Sequence, residues 1–162
     1  MATVTTLAGS TSGGNTARRV PYVVDVEIDF AAAATAKESA LAAGDIIEAL
    51  NVPAGAMVLT AGIEVTAANV GGSNDVTLDL GVTGGDIDIF VDGFDYDAAS
   101  VGDYAAVPAA TGPVMFGSAD TIDVEIQTAT TAPTGGKIRV FAVMVDVDGV
   151  GFADEVVRDQ LA

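Results

Sequence analysis

Hydrophobic side chains recur at every second position in several stretches of the chain. In residues 22–30, YVVDVEIDF, the side chains of Val24, Val26, Ile28 and Phe30 fall on one side, and Asp25, Glu27 and Asp29 fall on the other. A period of two predicts a half-buried strand. The same reading gives strands over 45–50, 57–67, 75–82, 86–94, near 114–116, over 121–128 and over 137–147. In 86–94 the apolar phase is Ile87, Ile89 and Val91; in 121–128 it is Ile122, Val124 and Ile126 against Asp123, Glu125 and Gln127. The expected core is Val26, Ile28, Leu78, Leu80, Ile122, Val124, Val140 and Ala142.

Between the strands lie residues suited to turns. Asn51-Val52-Pro53-Ala54-Gly55 joins a fixed proline φ to a permissive glycine, and Gly71-Gly72 and Gly84-Gly85 mark further turns. Gly62 reads as a bulge or twist point. Residues 133–136 read as a hairpin turn that pairs 121–128 with 137–147. Residues 95–118 read as a long surface loop ahead of the short strand. The alanine-rich stretch 31–43 admits two readings. One is a short helix with Thr35 and Glu38 at capping-box spacing and Gly44 at its end; the other is an irregular loop.

About eight strands with one apolar and one acidic face predict an all-β fold. The expected form is an antiparallel β-sandwich, jelly-roll-like, with an extended N-terminal arm. The arm covers residues 1–20, the sandwich body 21–152 and a C-terminal tail 153–162. The 162-residue length suits one domain, and a half-hydrophobic composition supplies a core. No stretch is long and apolar enough to span a membrane, and the first residues lack the pattern of a secretory signal.

Composition narrows the chemistry. The sequence has no His, Cys or Trp. Ser–His–Asp and cysteine nucleophiles, the usual zinc sites and a histidine base are therefore excluded, and the chain reads as a non-enzyme with no cofactor and no metal. Paired carboxylates are the only familiar acid–base machinery left, and no pair among the 23 acidic residues stands out. The densest acidic cluster, Asp86, Asp88, Asp92, Asp95 and Asp97, lacks the spacing of a calcium loop and reads as a solvated face, with a bound divalent cation as the alternative. The formal charge of −17 opposes nucleic-acid binding. Residues 1–24 carry Arg18 and Arg19 and no acid, so the arm is basic and the rest of the chain acidic. These two arginines are the candidate partner-binding residues, placed to meet carboxylates on a neighbour.

The pattern over 44–85 resembles one found in small structural proteins of tailed phages. A short strand ends in Pro53-Ala54-Gly55; a second strand and a loop follow, and then the strand Leu78-Asp79-Leu80-Gly81. Residues 86–98, DIDIFVDGFDYDA, are similar too. The resemblance is to head decoration (capsid cement) proteins. It implies a virion component with a β-sandwich body and does not decide between head decoration, spike base and neck or tail accessory; the expectation taken is the capsid surface, with assembly in the host cytoplasm. Its partners would be the major capsid protein and copies of itself, as a homotrimer. The rival expectation is a receptor- or carbohydrate-binding module of a fibre base, neck or tail. The scarcity of aromatic residues weighs against a sugar site.

Overall fold

The structure, a computed structural model, describes residues 20–71, 75–106 and 112–147. Most of the expected arm, including Arg18 and Arg19, and the expected tail 153–162 lie outside the described residues. Within them the chain forms nine strands and one helix. In order these are β1 (Tyr22–Asp29), α1 (Phe30–Lys37), β2 (Ile46–Val52), β3 (Ala56–Val70), β4 (Thr77–Gly81), β5 (Val91–Asp95), β6 (Tyr104–Ala106), β7 (Val114–Met115), β8 (Asp120–Thr128) and β9 (Gly135–Asp146). Two antiparallel sheets form a sandwich. The first runs β1-β9-β3-β6, with β7 also on β3; the second runs β2-β8-β4-β5.

The apolar phase of each strand points between the sheets. Ala61, Ile63 and Val65 of β3 and Ile138, Val140, Ala142 and Met144 of β9 are sealed from solvent, as are Leu78, Leu80, Ile122, Val124 and Ile126 of the second sheet. Seven of the eight expected core residues are buried. Val26 is only half-buried, because β1 is the edge of its sheet and its inner side is less fully covered.

One end of the core is closed by α1. The Asp29 carboxylate accepts from Ala31 N–H at 2.9 Å and Ala32 N–H at 3.3 Å, so the last residue of β1 caps the helix. Phe30, the first helical residue, turns inward onto Tyr96, with ring centroids 5.0 Å apart. The Tyr96 hydroxyl donates to Ala67 O at 3.1 Å, and burial pushes its pKa up to about 12. The helix ends at Glu38, which takes a left-handed φ of 60°. The Thr35–Glu38 capping box is therefore corrected. Thr35 lies inside the helix, donating its hydroxyl to Ala31 O, and Glu38 terminates the helix.

Three further expectations change. Residues 121–128 and 137–147 do not form a hairpin. β8 pairs with β2 and β4, and β9 with β1 and β3, so the connection crosses from one sheet to the other. The crossing is tied at both ends: Thr128 Oγ1 donates to Asp75 O at 2.7 Å, and Thr134 N–H donates to Val70 O at 2.8 Å. Gly62 is not a bulge either. The β3–β9 register runs unbroken from Thr60 through Val65, and its irregularities lie on either side of that run.

Residues 86–90 are turns rather than strand, and β5 begins only at Val91. The chain folds back over Gly81 there, with Val82 N–H donating to Asp86 O and Phe90 N–H to Leu80 O, both at 2.9 Å. A Cβ on Gly81 would lie 2.2 Å from the backbone of Ile87 and 2.3 Å from Asp86 O. Those atoms are main chain and cannot rotate away.

Two outcomes follow for urea unfolding. Leu80→Ala opens a cavity at a fully buried site and is expected to cost on the order of 2–5 kcal/mol. Gly81→Ala, which adds one methyl group, is expected to cost about 1–3 kcal/mol by overpacking the turn. A Gly81→Ala protein as stable as the wild type would show that the 82–90 turn does not rest on β4.

Candidate functional site

The second sheet carries acids and no cation on its strands. Two of these acids are not solvated. Asp79 and Asp123 point away from the core, yet they are only 4% and 1% exposed, because residues 82–93 fold across them. Asp79 Oδ1 accepts from Gly93 N–H at 2.6 Å, and Asp123 Oδ2 accepts from Thr83 N–H at 3.0 Å. Each carboxylate thus satisfies a main-chain donor in the covering segment. Asp123 Oδ1 is buried with no hydrogen-bond partner among the described residues.

The cluster singled out in the sequence does not converge on one point. Asp86 and Asp88 lie in the turn, and the hydrogen bond that a protonated Asp86 can donate to the Asp88 carboxylate raises the Asp86 pKa. Asp95 accepts from Ala98 N–H at 3.0 Å, and Asp97 accepts from Asn69 Nδ2 at 2.9 Å. These last two are turn and loop ties. Asp86, Asp88 and Asp92 border an open concavity of about 440 Å³ with Ile89, Phe90 and Ala105. Among the described residues, no group of three or more His, Cys, Asp or Glu side chains is arranged to hold a metal ion.

The outer face of the first sheet is different. The register aligns Asp25, Phe141, Gly62 and Ala106 in one row across β1, β9, β3 and β6, and Glu27, Arg139, Glu64 and Tyr104 in the next. Phe141 lies over Gly62, where a Cβ would come within 2.7 Å of the ring and 2.4 Å of Ala105 O. The glycine is therefore the floor on which the ring lies. Arg139 Nε donates to Glu64 Oε2 at 3.0 Å. Lys137 Nζ reaches Glu27 at 2.9 Å and Asp29 at 3.6 Å, and Thr66 Oγ1 donates to the other oxygen of Glu27 at 3.1 Å. These hydrogen bonds hold the Glu27 carboxyl below its ordinary pKa, chiefly through Lys137. Such exposed pairs contribute little to stability; their effect is on the charge of the face.

The result is an open groove of about 480 Å³, bordered by Val23, Tyr104 and Phe141 on its apolar side and Asp25, Glu64 and Arg139 on its polar side. Val23 is 67% exposed and Tyr104 72%. Sequence reasoning passed over this face, although a signal was present. Val23 and Phe141 are apolar residues out of phase with the inward positions of β1 and β9. Arg18 and Arg19, the residues the sequence proposed instead, lie outside the described residues.

Comparison with known proteins gives a fold and no family: no protein-family model and no curated protein matches the chain. Solved structures do. A chain of the capsid asymmetric unit of cyanophage Pam1 superposes with a TM-score of 0.62 at 18% identity, covering 89% of this chain and 97% of that one. A chain of the capsid of Ralstonia phage GP4 gives 0.52 at 19% identity, covering 77% and 84%. A chain of the acid-stable capsid of Helicobacter pylori bacteriophage KHP30 gives 0.53 at 14% identity, covering 78% and 86%. At these identities the likeness is one of fold.

The buried Asp79 sets a pH test. Burial raises its pKa above the ordinary 3.8; the Gly93 N–H opposes this, and the charges of Asp92 and Asp88 add to it. Folding therefore favours the protonated form. This contribution is fully present below 3.8 and is lost as the pH rises through the folded value. Asp45 has the opposite sign: its hydrogen bond to Lys37 lowers its pKa, so its contribution is lost on acidification. Measured against Asp79→Asn by urea midpoints, the wild type is expected to gain relative stability as the pH falls from neutral towards 3.8. A difference that stays flat over that range would remove Asp79 from the acid response.

Proposed function

We propose that the chain is a non-enzymatic structural component of a tailed-phage particle, a decoration or cement protein that binds the outside of the head and braces it. The observation that carries this reading is the shared sandwich. Chains taken from three phage capsid structures match 77–89% of this chain in fold. The Pro53-Ala54-Gly55 and Leu78-Asp79-Leu80-Gly81 resemblance supports the same reading from the sequence. So does an inventory without His or Cys, which leaves binding rather than chemistry as the task.

The mechanism is mechanical. Each copy bridges neighbouring subunits of the major capsid protein on the head surface, and the buried area resists outward pressure. A body this small gains hold by acting in several copies, so avidity multiplies modest contacts; three copies is the expectation. Residues 1–20 serve as the anchor. Their Ser, Thr and main-chain groups suit addition to an exposed sheet edge, and Arg18 and Arg19 suit carboxylates on the shell. Assembly takes place in the host cytoplasm, with no nucleic acid and no membrane involved.

Occupancy on purified particles tests the reading. Deleting residues 2–17 is expected to leave the β-sheet circular dichroism unchanged and to lower occupancy. Arg18→Ala with Arg19→Ala is expected to lower it less. Full occupancy by the truncated chain would remove the arm from attachment. Absence of the wild-type chain from purified heads would end the decoration reading altogether.

A further inference from the structure

The geometry points to the outer face of the first sheet as a twofold self-contact, by which two copies of this chain pair face to face. Charge selects the face. At −17, copies of this chain repel one another, and any contact must form where the negative charge is least. The second sheet offers no cation on its strands. The first sheet has Lys137 and Arg139, both on its outer face and both in β9. The same face exposes Val23 and Tyr104, with the Phe141 ring between them.

The register then selects the occupant. Arg139 is bonded to Glu64 on one side. On the other it lies close enough to Asp25 for that carboxylate to support its charge. Asp25 has no ion-pair partner among the described residues. The face therefore holds a cation, an acid with no ion pair to a described residue, and an apolar strip, which together make it complementary to itself. Strands lie about 4.8 Å apart and same-face residues about 7 Å apart along a strand.

On that grid, a twofold axis lying in the interface, placed to bring Arg139 of one copy onto Asp25 of the other, also brings Tyr104 close to Val23 of the mate. It sets Phe141 against Phe141, and Glu27, whose charge Lys137 offsets, against Glu27. One operator matches three contacts, and an isologous interface needs that internal agreement. The inference does not depend on the decoration reading, since it concerns the isolated protein. A ring of three would be built from other surfaces.

Sedimentation of the purified full chain over a dilution series and a salt series tests the proposal. Dimer is expected, and it should strengthen with salt. Two Arg139–Asp25 pairs are outweighed by the mutual repulsion of two bodies at −17, which added ions screen. Tyr104→Glu and Arg139→Glu are each expected to weaken the dimer by about tenfold or more. Adding Asp25→Lys to Arg139→Glu is expected to restore it, because the exchanged charges meet across the axis. Ile46→Glu, at an exposed apolar position on the second sheet, is the control and is expected to leave the dimer unchanged. A chain that stays monomeric at every concentration and salt overturns the proposal. So does an oligomer indifferent to Tyr104→Glu and Arg139→Glu.

Discussion

The antiparallel pairing of β3 with β9 is the contact on which the rest of the structure depends. These are the two longest strands, of 15 and 12 residues, and they lie side by side in the middle of the first sheet. Their inner residues form one wall of the core. Their outer residues, Glu64, Arg139, Phe141 and Gly62, form the floor of the groove. Among the described residues the only strand that β1 pairs with is β9, and the only one that β6 and β7 pair with is β3. The pair thus fixes both the interior and the face that the charge distribution leaves most approachable.

Acidity constrains the same architecture from outside. Nearly every outward position is carboxylate or neutral, so the molecule tolerates close approach by another surface at few places. Where the chain had to cover an acid, at Asp79 and Asp123, it did so with main-chain N–H groups of residues 83 and 93 rather than with cations. Lys and Arg were reserved, among the described residues, for β9 and for Lys37 at the end of the helix.

Much of this was legible from alternation alone. Ile122, Val124 and Ile126, or Val140 and Ala142, announce a strand and its buried side because a period of two has one structural meaning. What alternation does not encode is which strand lies beside which. The stretch between β8 and β9 contains Pro133, leads into Gly135 and Gly136 at the start of β9, and looked like a hairpin. It is also long enough to cross the roughly 10 Å between packed sheets, and its threonines find partners in Asp75 and Val70 on the way. Residues 86–90 kept an alternating pattern while folding as turns, since the deciding fact is the absence of a side chain at Gly81. Asp79 and Asp123 read as outward positions, because alternation does not show that residues 82–93 fold back to meet them. The groove was missed for a related reason: it is assembled from single residues of four strands. Arg18 and Arg19 stood out by charge, which a sequence displays directly.

The position of β9 has a consequence for the order in which the molecule is made. It is the last strand of the described chain, and it separates the first strand from the third in their sheet. β1 and β3 emerge from the ribosome early, each with an inner face of valine and isoleucine. Until β9 has been synthesised, β1 has no sheet partner and β3 has only the short β6 and β7. Of the strand pairings among the described residues only β4 with β5 joins neighbours in sequence; the others close long loops, a topology that folds slowly. During translation the acids along β1, Asp25, Glu27 and Asp29, are therefore the chain's protection. Such charges disfavour edge-to-edge pairing of a strand whose proper neighbour has yet to arrive.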